Sequence, residues 1–167
     1  IDTSIAFIKL IDKLNLSKEN AYKFLKNKSN TEHRFEKVEI INGTRFINDS
    51  KSTNFHSVSS ASERVKNALL IMHGITKNIP TSELQLSNEI KKIIIPNDMN
   101  LDHNLFHCEV QVIKSIFELE DIVKKDFQRF ETVLFSCGGS SFNDFENYIE
   151  RGKFFKSIVN NIKGGQN

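Results

Sequence analysis

The stretch Arg45-Phe46-Ile47-Asn48-Asp49-Ser50-Lys51-Ser52-Thr53-Asn54 sets the frame for reading the whole chain. A short apolar strand runs into an unbroken series of polar side chains, Asn48 to Asn54, with no Gly or Pro among them. Folding alone does not require Asp, Ser, Lys, Thr and Asn together at a strand end. In open α/β sheets, ligands bind just beyond the carboxyl ends of the strands, so this is the first place to expect a site. Taken alone, the same stretch also reads as a turn followed by a helix N-cap.

Before it, Phe35, Val38 and Ile40, then Asn42-Gly43, then Phe46 and Ile47 read as two strands around a tight turn. Asn-Gly accepts positive φ at both central positions, which favours a hairpin. After it, Val58, Ala61, Val65 and Ala68 fit a helix. Ala68 to Met72 is a continuous apolar run, as expected of a strand buried on both faces. Further strands are expected at 92–96, stopped by Pro96, at 110–113 and at 132–135. Helices are expected over Ser82 to Lys91 and over the amphipathic segment from Ile116 to Phe127. The small-residue loop Cys137-Gly138-Gly139-Ser140-Ser141 is expected to open a helix carrying Phe142, Phe145 and Tyr148. A second helix, carrying Phe154, Phe155, Ile158 and Ile162, should follow it. Residues 1–32 read as two short helices and a polar linker. Buried strands alternating with helices predict an α/β, Rossmann-like, mostly parallel sheet covered by helices on both faces, with the hairpin adding one antiparallel strand.

Composition narrows the classes. The chain has 167 residues, enough for one domain and a small appendage. A formal net charge of +2 and the lack of a basic tract argue against nucleic acid as a partner. No apolar run approaches the ~20 residues of a membrane span. With 14 Phe and no Trp, the core should be Phe-rich. Two cysteines, Cys108 and Cys137, make neither a disulfide framework nor a metal cluster, and a cytoplasmic location is the default. The chain does not start with Met, so a piece of a longer protein is expected.

Three loops should meet at one sheet edge: residues 48–54, 73–77 and 136–141. Together they offer the Asp49 carboxylate, the Lys51 and Lys77 ammonium groups, and the hydroxyls of Thr53, Ser140 and Ser141. Ser141-Phe142-Asn143-Asp144 has the form of a capping box, and a helix start behind small residues favours an anion. The set suits a ligand bearing carboxylates or phosphates. It does not suit a protein-held metal, because no His or Cys pairs occur at ligand spacing. Each member also has a plain structural reading: Lys77 as a solvated lysine, His33 as a local hydrogen-bonder, Cys137 as a small buried thiol, and Phe142, Phe145 and Tyr148 as core. His73 has no evident partner in the sequence.

His33-Arg34-Phe35-Glu36, Asn42-Gly43 and Asn48-Asp49-Ser50-Lys51-Ser52-Thr53-Asn54 resemble the start of the C-terminal domain of a Mur ligase, of the D-glutamate-adding type. Ser140-Ser141-Phe142-Asn143-Asp144-Phe145, Tyr148 and Glu150-Arg151-Gly152 resemble that domain's later signature. The resemblance covers residues 33–163, and residues 1–32 resemble the end of the family's central ATPase domain. It implies a 33–167 amino-acid-binding domain and ATP-dependent amide formation in peptidoglycan precursor synthesis. The partners implied are ATP with Mg, D-glutamate and UDP-N-acetylmuramoyl-L-alanine, together with upstream ATPase and UDP-binding domains. Carried over by motif, Arg34 would meet phosphate, Asp49 the ribose side, and Lys51 the reacting groups. Thr53, Lys77, Ser141 and Phe142 would hold the D-glutamate carboxylates, in a pocket shaped by Phe145 and Tyr148. Arg34 and Lys51 are thus the expected catalytic residues. The sequence departs from the family pattern in three places: His73-Gly74 replaces Gly-Gly, Asn143 replaces Asp, and Ser136-Cys137-Gly138-Gly139 lacks the usual Pro and Ala. No Gly-x-x-x-x-Gly-Lys-Ser/Thr phosphate loop occurs in the 167 residues, so this polypeptide alone should be inactive. The rivals are a sister ligase using another amino acid and a non-catalytic binding module of the same fold.

Overall fold

The computed structural model describes residues 31–76 and 78–165, together with Ile11, Lys13, Ser17, Glu19 and Asn20. The chain divides into two compact units, Ile1–Thr31 and Glu32–Asn167. The two helices expected in the first unit lie mostly outside the described residues.

The second unit is built on six strands: β1 (Glu36–Ile41), β2 (Thr44–Asp49), β3 (Ala68–His73), β4 (Ile90–Pro96), β5 (Glu109–Ile113) and β6 (Thr132–Gly138). Its helices are α1 (Phe55–Ser62), α2 (Leu119–Asp126) and α3 (Tyr148–Gly164). The sheet order is β1-β2-β6-β3-β4-β5. Among the described strands only the β1–β2 pair is antiparallel. Asn42 and Gly43 form the hairpin turn with φ of 48° and 87°, as the Asn-Gly pair requires.

Alternation along the strands separates two cores. Leu69, Ile71, Val133 and Phe135 face the layer made by α2 and α3. Leu70, Met72, Ile93 and Leu134 face α1 and the segment carrying Leu84, Met99 and Leu101. Because β3 and β6 are covered on both faces, every residue in them is buried, and their sequences show no polar alternation. Phe does not dominate the core, where buried Ile outnumbers Phe. Its part is ring packing in the α2–α3 layer, where Phe135 stacks on Phe155 at 4.7 Å between centroids and Phe46 meets Phe127 at 5.6 Å.

Two expected helices are absent. Over Ser82 to Lys91 only a 3-10 turn, Thr81–Glu83, forms before β4 begins at Ile90. Two amides of the segment turn to α1 instead of to helical carbonyls: Gln85 N–H donates to Ser59 Oγ at 3.2 Å, and Ser87 N–H to Ser62 Oγ at 3.1 Å. The second is the helix expected to carry Phe142, Phe145 and Tyr148. Here Ser141 C=O accepts the N–H groups of Asp144 and Phe145, closing a turn. Asn147 then adopts an extended conformation and caps α3, accepting from Ile149 N–H and Glu150 N–H. The predicted helix carrying Phe154 to Ile162 is α3 itself.

Phe135 and Phe155 are both fully buried and stacked, so Phe135→Ala should lower unfolding free energy by about 3–5 kcal/mol. Denaturant titration measures this; a loss under about 1 kcal/mol would contradict the packing described.

Candidate functional site

Three parallel neighbours, β2, β6 and β3, end at one edge of the sheet. Asp49 lies beside Ser136, and His73 beside Gly138. The loops leaving them are hydrogen-bonded to one another. Gly138 N–H donates to Ser52 C=O at 3.0 Å, and Ile75 and Ser140 exchange two backbone bonds of 3.0 Å. Gly74 is at φ 110°, and a Cβ there would lie 2.1 Å from Ser140 O, so only glycine permits this approach.

Arg34, Asp49 and Lys51 line one cleft of about 250 Å³, with Phe35, Ser52, Ser57 and Arg64. Asp49 is almost wholly buried. Its carboxylate accepts from Phe35 N–H at 2.9 Å and from Ser136 O–H at 2.8 Å. Burial pushes its pKa above the ordinary carboxylate value, against those two hydrogen bonds and the nearby guanidinium groups of Arg64 and Arg34. Arg64 stacks over the Phe35 ring, 3.6 Å from its centroid. Ser52 is buried on the cleft wall with its hydroxyl unpartnered. Three cations against one carboxylate, with a spare hydroxyl, make this cleft a place for an anion.

Lys51 Nζ sits 5.0 Å over the Tyr148 ring, which meets the His33 ring edge-on at 6.2 Å. Tyr148 thus stands under Lys51, whereas Phe145 packs against His73, Phe117 and Phe154. The two aromatics expected to shape one pocket have different neighbours. Thr53 is exposed on the loop before α1. Asn54 caps α1 by accepting from Ser57 N–H at 2.9 Å, so the turn-and-cap reading of this stretch holds alongside any site. Ser141 is buried in its turn, and Phe142 is 74% exposed, which overturns its assignment to the core. Lys77 lies outside the described residues. Cys137 is fully buried, and burial pushes its thiol up to about 12, as the structural reading expected.

The polar scaffold behind the rim was the hardest part to foresee. Arg151 has no solvent exposure. Its Nη1 donates to His73 O at 3.1 Å, Gly139 O at 3.0 Å and His73 Nδ1 at 3.2 Å, and its Nη2 to Ser50 O at 2.7 Å. One guanidinium therefore touches all three loops. The signal was present: Arg151 lies four residues before Phe155 on the apolar face of α3, where an unpaired cation cannot remain. Gly152 follows it because a Cβ there would lie 2.1 Å from His33 Nδ1. His33 is buried and bonded to Asn48 Nδ2 at 3.0 Å, as its structural reading expected. His73, without a partner in the sequence, finds two in space: Arg151, and Asp144 at 2.8 Å.

Burial lowers the pKa of both His33 and His73 from the ordinary 6.5. A depressed folded-state pKa means that the unfolded chain binds protons first. Stability should therefore be full above pH ~6.5 and decline as pH falls below it. Urea midpoints across pH 5–8 check this, and a midpoint that rises on acidification would contradict it. Asp49 has the opposite sign: its ionised form costs stability above the carboxylate range. Asp49→Asn should leave the thermal midpoint at neutral pH unchanged or higher; a fall of more than about 5 °C would contradict a burial-dominated cost.

Among the described residues no helix is long and apolar enough to cross a membrane. No family model matches the chain. It is similar to curated proteins named UDP-N-acetylmuramoylalanine–D-glutamate ligase. The protein of that name from Thermosipho africanus is 34% identical over 148 residues, covering 86% of this chain and 35% of the relative. Those from Thermosipho melanesiensis and Francisella tularensis are 33% and 26% identical, covering 88% and 95% of this chain. The chain spans 35–40% of the length of these relatives. Across most of its length, then, the chain is similar to proteins named UDP-N-acetylmuramoylalanine–D-glutamate ligase.

Proposed function

We propose that the chain is the C-terminal, amino-acid-binding domain of an ATP-dependent ligase that joins D-glutamate to UDP-N-acetylmuramoyl-L-alanine in the cytoplasm. The observation that carries this reading is the meeting of Arg34, Asp49 and Lys51 in one cleft, at a rim shared with the loops of His73 and Ser141. The names of the curated relatives supply the substrate class, and upstream domains would supply the phosphate loop and the UDP site.

In this reading the γ-phosphoryl group passes to the carboxylate of the muramoyl-alanine substrate, giving an acyl phosphate and ADP. The amine of D-glutamate attacks the acyl carbon, the C–O bond to phosphate breaks, and phosphate leaves with the amide formed. Catalysis of phosphoryl transfer is chiefly positioning and charge stabilisation, which fixed cations provide. Arg34 would meet the nucleotide phosphates, and the buried Asp49, held by Phe35 N–H and Ser136 O–H, its ribose side. Lys51, steadied over Tyr148, would face the transferring group. Thr53, Lys77, Ser141 and the Phe142 segment would receive the D-glutamate carboxylates, with Phe145 bracing that segment from beneath. Mg2+ would ride with the nucleotide phosphates and offset their charge. The unpartnered Ser52 hydroxyl and the cationic cleft fit the phosphates it would accompany.

Full-length protein should form UDP-N-acetylmuramoyl-L-alanyl-D-glutamate with ATP consumption. Lys51→Ala should cut kcat by about a hundredfold or more with little change in thermal midpoint, because Lys51 is a half-exposed loop residue. Product analysis against a panel of D- and L-amino acids is the check. A preference for another amino acid, or near-normal turnover by Lys51→Ala, would contradict the assignment.

A further inference from the structure

Two of the three places where the sequence departs from the Mur pattern, His73 and Asn143, prove to serve the same turn. The turn Ser141–Phe145 closes on itself through Ser141 C=O, which accepts Asp144 N–H at 3.3 Å and Phe145 N–H at 2.9 Å. The base of the turn is tied to the end of β3 by the Ile75–Ser140 backbone pair, and beyond that base two side-chain bonds hold the turn against the sheet. Asn143 Nδ2 donates to Asp98 Oδ2, beyond β4, at 3.0 Å. Asp144 Oδ2 meets His73 Nε2, at the end of β3, at 2.8 Å.

The His73 bond has a defined polarity. Guanidinium nitrogens only donate, so the 3.2 Å contact with Arg151 Nη1 makes His73 Nδ1 an acceptor. Its Nε2 then carries the proton and donates to the Asp144 carboxylate. The ring cannot swing, because it is fully buried and stands edge-on to Phe145 at 5.5 Å. Phe145 in turn rests on Phe117 and Phe154. A rigid imidazole, fixed at one nitrogen by a buried cation, thus presents a single donor to a carboxylate whose side chain retains 28% exposure.

We propose that His73 and Asp144 are positioning residues of the amino-acid pocket, clamping the Ser141–Phe142 segment at the distance from β3 that a dicarboxylic amino acid needs. This rests on the ligase reading above. Neither residue touches the substrate; each acts by holding Ser141 and Phe142 in place. Asn143 supports the clamp from the β4 side, where an aspartate would face Asp98 with like charge.

The test uses full-length protein and three variants: Asp144→Ala, Asp144→Asn and His73→Gln. Asp144→Ala removes the acceptor, and Asp144→Asn keeps one. His73→Gln keeps a donor but loses the ring. Loss of one charge-assisted bond predicts a rise of about tenfold in KM for D-glutamate in Asp144→Ala, with kcat and the KM for ATP within about twofold. Asp144→Asn should restore KM to within about threefold of the parent, and His73→Gln should fall between the two. Because a merely structural defect would not single out the D-glutamate KM, equal KM values for the parent and Asp144→Ala would overturn the proposal. So would a loss confined to kcat. If the parent protein forms no amide with D-glutamate, the ligase reading fails. The clamp itself is then judged by hydrogen exchange: Asp144→Ala should speed exchange at the Asp144 and Phe145 amides and leave β3 unchanged. Unaltered exchange there would overturn the clamp on its own.

Discussion

A guanidinium taken wholly out of water must find acceptors for its N–H groups or cost the fold several kcal/mol. The two terminal nitrogens of Arg151 find them where three loops present backbone oxygens to a single point, Ser50, His73 and Gly139, while its Nε stays buried without a hydrogen-bond partner. The dependence runs both ways. The loops and the end of β3 offer carbonyls, and the guanidinium fixes how far apart those carbonyls stand. Everything on the rim inherits that spacing, including Asp49 and Lys51 beside Ser50, His73 at the end of β3, and Ser141 just past Gly139. Removing the cation would leave buried carbonyls unpaired, whereas keeping it unpaired would strand a charge in the core.

The energetic layers of the domain divide accordingly. Two apolar layers on either side of β3 and β6 supply bulk stability and make the central strands rigid. The edge where those strands end carries the groups that oppose stability: a buried carboxylate at Asp49, two buried imidazoles, and an unpartnered Ser52 hydroxyl. Such groups concentrate at functional sites because a ligand can complete what the folded chain leaves unfinished. The cationic cleft beside Asp49 has this character.

Much of the architecture was legible from pattern. Continuous apolar runs marked β3, β4 and β6, and Asn42-Gly43 marked the hairpin. The spacing of Phe154, Phe155, Ile158 and Ile162 marked α3. The misses share one cause, which is satisfaction of backbone groups by distant partners. Residues 84–89 have helix-compatible composition, but Ser59 and Ser62 of α1 take up the amides of Gln85 and Ser87. Residues 141–147 look like a capped helix start, yet Asp144 is drawn away to His73, and Asn147 caps the next helix instead. At the site, motif spacing picked out Arg34, Asp49 and Lys51, which line one cleft. It did not show that Tyr148 stands under Lys51, or that Phe142 points to solvent, because both depend on where α3 begins.

The account stands or falls on whether the three joined loops form one receptor for an acidic amino acid next to a nucleotide. The most direct measurement is a crystal structure of the full-length protein with D-glutamate and a non-hydrolysable ATP analogue. It should place the D-glutamate carboxylates between the Thr53 loop and the Ser141 turn, with the nucleotide against Arg34 and Asp49. D-glutamate bound away from that rim, or a nucleotide that leaves the Arg34–Asp49 cleft empty, would contradict it.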